Sequence, residues 1–133
     1  MIYFLAVKRI FKTRHFSRWV RKTELSDPAL YAAVVEMERG LIDADLGGGI
    51  VKKRVALPGR GKSGGARTLV ATNKGNRWFF VFGFEKNERP NVTAKELEAL
   101  QKIAADLLKL SSKDLDAHVE FGELQEICHD DQA

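Results

Sequence analysis

The spacing of apolar and polar residues changes several times along the chain, and each change predicts a different element. Residues 8–13 alternate enough to predict a first strand. Apolar residues at helical spacing then predict a helix over 15–22. Ser26-Asp27-Pro28 predicts the start of a second helix, with a capping side chain and a proline in the first turn. The stripe of this second helix that is expected to face the core comprises Leu30, Val34, Met37 and Leu41.

A glycine-rich break at 45–49 precedes a change to strand periodicity. Segments rich in Val, Phe and Thr predict strands over 50–57, 66–72 and 78–84. A loop over 58–65 joins the first of these strands to the second, and a tight hairpin turn over 73–76 joins the second to the third. We therefore expect these strands to form an antiparallel meander.

The last part of the chain returns to helical spacing. A capping box formed by Thr93 and Glu96 predicts the start of a long helix, and a shorter helix is predicted over 112–127. The buried face of the long helix is expected to consist of Leu97, Leu100, Ile103, Leu107 and Leu110. The predicted order is β-α-α-β-β-β-α-α, which indicates an α+β fold with helices packed on a small antiparallel sheet. The length fits a single domain over 1–133.

Charge is distributed unevenly along this predicted fold. The net charge is +4, but no acidic residue lies between Asp45 and Glu85. The basic residues of that stretch are Lys52, Lys53, Arg54, Arg60, Lys62, Arg67, Lys74 and Arg77. From Pro90 onwards acidic residues outnumber lysines. Such polarity favours a polyanion on the basic side, although for any one basic segment solvated surface charge is the more common explanation.

Several other chemistries do not fit the residues present. Cys128 is the single cysteine, so an internal disulfide and a multi-cysteine zinc site are excluded, and the three histidines match no zinc-ligand spacing. The glycine-rich run 59–64 links two predicted strands, whereas a phosphate-binding loop leads from a strand into a helix. We expect no metal and no cofactor. The apolar start, Met1 to Val7, is too short to cross a bilayer, which predicts a cytoplasmic protein without membrane contact.

The basic residues of the predicted meander are candidates for a site that binds RNA. Alternation places Lys52 and Arg54 on one face of their strand and Lys53 on the other. Arg67 begins the next strand, and Lys86 and Arg89 follow the third, where a meander can bring them near Arg67. RNA supplies its own nucleophile, the ribose 2′-OH. Arginine forks suit phosphate oxygens, and a lysine whose pKa is lowered by neighbouring cations can accept a proton.

Two blocks of sequence resemble a known family. These are "GKSGGAR" at 61–67 and "FEKNERPN" at 84–91, together with the less specific segments 9–13 and 43–49. On these residues the chain resembles the RelE/ParE superfamily of type II toxin–antitoxin toxins over residues 8–127, and most closely its RelE/HigB-like branch. The resemblance implies a microbial toxin that cleaves mRNA on the translating ribosome and that a cognate antitoxin silences.

The resemblance also implies roles for individual residues. Asn87 stands where some members of the family have a catalytic arginine, and Thr93 where they have a tyrosine. The matching catalytic positions are Lys52, Arg54, Arg67 and Lys86. The positions expected to bind RNA are Lys53, Arg60, Lys62, Asn87 and Arg89.

Two other functions stay open at this point. A ParE-like inhibitor of DNA gyrase would share the fold, bind a protein and cut no RNA, and the missing counterpart of the tyrosine keeps this alternative open. An RNA-binding module without turnover is the second. The acidic end of the chain is expected either to shield the basic site or to face the antitoxin.

Overall fold

The computed structural model describes residues 8–59 and 61–127, except for the side chains of residues 61–63. The strands are β1 (Arg9–Thr13), β2 (Ala44–Gly47), β3 (Ile50–Leu57), β4 (Gly61–Thr72), β5 (Arg77–Glu85) and β6 (Leu124–Glu126). The helices are α1 (Arg14–Val20), α2 (Asp27–Glu38), α3 (Ala94–Leu108) and α4 (Ser112–Glu120). The predicted α+β fold class is confirmed.

The strands form one mixed sheet in the order β2-β3-β4-β5-β1-β6. The predicted meander of β3, β4 and β5 is antiparallel, as expected. The expectation of a wholly antiparallel sheet is wrong, because β1 pairs with β5 in parallel. Ile10 and Phe11 of β1 are both buried, so this strand is covered on both faces, as parallel strands usually are.

Two short strands were not predicted. β2 lies in the segment interpreted as a glycine-rich break, and it pairs with β3 through an irregular register. β6 lies where the last helix was expected to continue. Gly122 ends α4 instead, with a positive φ of 77° that glycine adopts without strain. In addition, β4 begins at Gly61, so part of the predicted loop is strand.

Helices cover both faces of the sheet. We call these the α2 face and the α3 face. The α2 face packs against α1 and α2 around a core that includes Ile10, Phe16, Leu30, Val34, Val51, Val55, Val70, Trp78 and Phe80. The α3 face packs against α3 and α4 around Phe11, Ile50, Leu69, Phe79, Val81, Leu100, Ala104 and Leu115. No helix of the described residues is long and apolar enough to cross a membrane.

Helix starts follow the predicted capping residues. The hydroxyl of Ser26 accepts a hydrogen bond from the Ala29 amide, and Thr93 and Glu96 form the expected reciprocal capping box. Two predicted core residues are exposed instead. Leu41 is 56% exposed because α2 has already ended at Glu38, and Ile103 of α3 is 44% exposed.

A close contact between α1 and β5 generates a prediction about stability. A methyl group added at Gly83 would overlap the ring of Trp19. We expect Gly83→Ala to lower the free energy of unfolding by about 1–3 kcal/mol, the usual cost of overpacking. Urea unfolding measures this change. The control is Gly75→Ala, because a methyl group there would meet nothing closer than 3.5 Å. Equal stability of the two variants would contradict the prediction.

Candidate nucleic-acid interface

Three cations project from the α3 face of the antiparallel strands β3 and β4. In the register of β3 with β4, Arg54 lies directly opposite Arg67, and Lys52 lies opposite Leu69. Side chains of directly opposed residues share a face, with Cβ atoms about 4.5–5.5 Å apart. All three cations are partly exposed. We call Lys52, Arg54 and Arg67 the basic patch.

An acidic side chain orients one of these cations. Asp43 precedes β2, and its carboxylate accepts hydrogen bonds from the backbone amide of Arg54 at 2.6 Å and from Arg54 Nε at 3.1 Å. The contact engages one edge of the guanidinium and leaves its terminal nitrogens outside this ion pair. Sequence reasoning missed Asp43, although it lies only two residues before the acid-free stretch, because the pairing of β2 with β3 was not predicted.

The position of Arg67 depends on a close approach of two backbones. A methyl group at Gly65 would overlap the carbonyl oxygen of Val55, so this position of β4 requires glycine. Arg67 Nη1 donates to the carbonyl of Gly65 at 3.3 Å. The hydroxyl of Thr68 donates to the carbonyl of Lys53 at 2.9 Å, which ties the same part of β4 to β3.

Lys53 lies on the opposite face, as alternation predicted. It is only 3% exposed, and its ammonium donates to the carbonyl of Leu41 and pairs with Glu36 Oε1, both at 2.7 Å. These contacts connect β3 to α2 and to the segment after it. The assignment of Lys53 to RNA binding does not fit this burial, so Lys53 is left out of the site.

The turn after β5 lies beside the basic patch. Glu85 pairs with Ala66, so Lys86 leaves β5 one residue beyond that pair, next to the strand end from which Arg67 projects. Lys86 and Asn87 are both exposed. Arg60 lies outside the described residues, and the side chain of Lys62 is not described although its backbone belongs to β4.

Arg89 is held by contacts within the fold. Its guanidinium lies 5.5 Å from the ring centre of Phe82, and its Nη1 is 2.5 Å from Glu96 Oε1. The hydrogen bond from Arg89 lowers the pKa of Glu96 to about 2, assisted by the amide of Thr93. The same contact raises the pKa of Arg89. Arg89 therefore stabilises the start of α3, and Glu96 offsets its charge.

Sequence reasoning also missed a histidine on this face. The ring of His15, at the start of α1, stacks on Phe82 with a centre-to-centre distance of 5.5 Å and an interplanar angle of 5°. No local pattern could reveal this contact, because it depends on β1 lying next to β5. Among the described residues, no three His, Cys, Asp or Glu side chains form a group that could hold a metal ion.

The comparison with protein families agrees with this fold. The model of a family described as the RelE toxin of the RelE/RelB toxin–antitoxin system matches residues 8–127. No curated protein matches the sequence at a significant level. The chain belongs to the RelE toxin family, which makes it the toxin of a type II toxin–antitoxin system and implies an antitoxin as its partner.

The Arg89–Glu96 pair generates a prediction about pH. The pKa of Glu96 is lowered from 4.5 to about 2 in the folded protein, so its ionisation stabilises the fold above about pH 4.5. This contribution is lost as the pH falls from about 4.5 towards 2. We expect Arg89→Gln to return the pKa of Glu96 towards its ordinary value, because the largest cause of the shift is removed.

Carbon-detected NMR titration of the Glu96 carboxyl group measures this change. Lys95→Gln is the control, since it removes a neighbouring cation that does not contribute to the lowered pKa of Glu96. An unchanged Glu96 titration in Arg89→Gln would contradict the assigned cause.

Proposed function

We propose that this toxin is an endoribonuclease that cuts mRNA on the ribosome and so inhibits translation in the cytoplasm. The observation that supports the proposal is the direct opposition of Arg54 and Arg67, with Lys52 on the same face. Like charges directly opposite each other are unfavourable in a sheet, and an anion bound between them would offset their repulsion. A phosphate group, with oxygens that match guanidinium forks, suits this position.

The proposed reaction needs neither a metal ion nor a cofactor. The ribose 2′-oxygen attacks the adjacent phosphorus, its proton passes to a base, and the bond from phosphorus to the 5′-oxygen breaks. The leaving 5′-oxygen takes up a proton, which leaves a 2′,3′-cyclic phosphate and a 5′-hydroxyl end. Stabilisation of the negative charge on the phosphorane is expected to make the largest contribution to the rate.

The catalytic residues of this proposal are Lys52, Arg54, Arg67 and Lys86. The opposed arginines hold the phosphate oxygens, and Asp43 keeps Arg54 oriented for this role. The lysines beside them are proposed to exchange protons with the 2′- and 5′-oxygens. Around them, Arg60, Lys62, Asn87 and Arg89 are proposed to contact the RNA on either side of the cut, mainly through its backbone.

The antitoxin is proposed to cover the basic patch with acidic side chains. Complementary charge would speed its association and block RNA at the same time. A helix or a strand laid across the α3 face would serve this purpose.

Inhibition of DNA gyrase is the second candidate function. It is kept because Thr93, at the position of a tyrosine in some related nucleases, caps α3 by accepting the amide of Glu96 at 3.1 Å. This residue therefore already has a structural role. A gyrase inhibitor would need no reactive group at position 93 and would leave mRNA intact.

Replacement of Arg67 tests the proposed nuclease. We expect Arg67→Ala to lower the cleavage rate by about 10²–10³-fold, as for other groups that stabilise charge in a transition state. Expression of the variant should no longer inhibit growth. Primer extension on cellular mRNA should show that the codon-linked breaks made by the wild-type toxin are lost.

The matched control is Arg39→Ala, which removes the same charge from the exposed end of α2. Circular dichroism must show that Arg67→Ala is folded. Wild-type breaks in mRNA after Arg67→Ala would contradict the proposal. Intact mRNA together with DNA damage in cells that express the wild-type toxin would favour the gyrase inhibitor instead.

A further inference from the structure

Two planar side chains contact the ring of Phe82 beside the basic patch. The guanidinium of Arg89 and the imidazole of His15 both lie 5.5 Å from the ring centre of Phe82, and the imidazole is almost parallel to that ring. His15 is exposed, whereas Phe82 is partly buried. A planar group that joined this stack would therefore do so at His15.

An apolar groove opens next to this stack. It has a volume of about 300 Å³ and lies between the end of β1, the middle of β5 and α3. Its lining includes His15, Phe82, Val81, Leu100, Ile103 and Glu96. Ile103, which faces this groove, is 44% exposed although it is a large apolar residue.

The groove continues the surface that carries the basic patch. Arg67 of β4 lies opposite Phe84 of β5, and the rings of Phe84 and Phe82 are 6.2 Å apart. β4, β5 and β1 are successive neighbours in the sheet, so about 10 Å separates the strand of Arg67 from the strand that leads into His15. A base joined to a phosphate through its sugar covers a span of that order.

Polar groups at the edge of the groove are already engaged. The hydroxyl of Thr13 accepts the amide of Phe16 at 3.2 Å, and Glu96 is bound by Arg89 and the amide of Thr93. The groove thus offers a ring face and apolar contacts rather than free hydrogen-bonding groups. Such a surface binds a flat aromatic group by stacking, with little dependence on its hydrogen-bonding edge.

We propose that His15 and this groove form a subsite for one nucleobase of the RNA whose phosphate lies on the basic patch. The inference rests on the proposed function, since it requires RNA on the α3 face. His15 contacts the base by stacking, with Phe82 behind it. The subsite favours the larger ring surface of purines over pyrimidines and fixes the position of the cut relative to that base.

Binding of modified RNA to the full chain tests the subsite. The probes are short fluorescent RNA oligonucleotides with 2′-O-methyl groups throughout, which removes the nucleophile and prevents cleavage. In a matched series, each position in turn lacks its base. Fluorescence anisotropy at low salt gives the affinity for each probe. We expect one abasic position to weaken binding to the wild-type protein by about 5- to 150-fold, the range of stacking on a side chain.

Variants of His15 assign this loss to the subsite. In His15→Ala, the intact probe should bind as weakly as the critical abasic probe, and that abasic position should no longer matter. His15→Phe keeps a ring and should retain the wild-type pattern of binding. It should also retain mRNA cleavage, whereas a role of His15 in proton transfer predicts that cleavage is lost. His118→Ala is the matched control, because this second histidine lies on α4 and pairs with Glu123. Thermal melting shows whether each variant is folded.

The outcomes separate the subsite from the proposed function. The subsite is overturned, while RNA binding stands, if His15→Ala shows the wild-type pattern of affinities. The same holds if the wild-type protein binds all abasic probes with equal affinity. The groove would then be free for an apolar side chain of a partner protein. Failure of the wild-type protein to bind any probe overturns the subsite and RNA binding by the chain alone, while ribosome-dependent cleavage is decided separately by Arg67→Ala.

Discussion

The pairing of β3 with β4 is the constraint on which the basic patch depends. Its register brings two arginines directly opposite each other on one face, at a spacing where like charges repel. A methyl group at Gly65 would prevent the close approach of the strands just before this pair. Asp43 offsets part of the repulsion through its ion pair with Arg54. The fold thus holds an electrostatically unfavourable pair in place through packing and main-chain pairing, and an anion is the natural complement to such a pair.

The basic residues of the chain divide into two groups with different roles. Three of those near the start, Lys8, Arg9 and Lys12, mainly stabilise the fold, since their charges are paired with carboxylates from other segments. The pairs are Lys8–Glu38, Arg9–Asp116, Arg9–Glu126 and Lys12–Asp27, at 2.7–2.8 Å. The two partners of Arg9 come from the acidic end of the chain, and they raise its pKa. This part of the acidic end therefore binds β1 rather than shielding the basic patch.

Local sequence patterns were sufficient for the parts of the fold that depend on neighbouring residues. Caps at Ser26 and Thr93 marked the starts of two helices, and alternation placed Lys53 on the face opposite Lys52 and Arg54. Alternation alone could not predict the partner of Lys53. The ammonium of Lys53 is buried on that face, so it needs the carboxylate of Glu36.

Features that depend on long-range pairing could not be predicted in this way. The parallel pairing of β1 with β5 joins segments separated by two helices and three strands, and nothing in either segment specifies its partner. Both unpredicted neighbours of the site follow from strand pairings that the sequence analysis did not identify, one between adjacent strands and one between distant segments. Asp43 reaches Arg54 because β2 pairs with β3, and His15 reaches Phe82 because β1 pairs with β5.

The distribution of site residues between strands and connecting segments has a consequence for function. Lys52, Arg54 and Arg67 belong to strands whose alternate residues form the core, so their backbones cannot shift without disturbing that core. A rigid arrangement suits charge stabilisation, which works best when the charged groups need no rearrangement during the reaction. The groups that would distinguish one RNA from another, His15 and the turn after β5, lie outside these strands. Selectivity for a base can therefore change by substitution there while the phosphate-binding geometry is preserved.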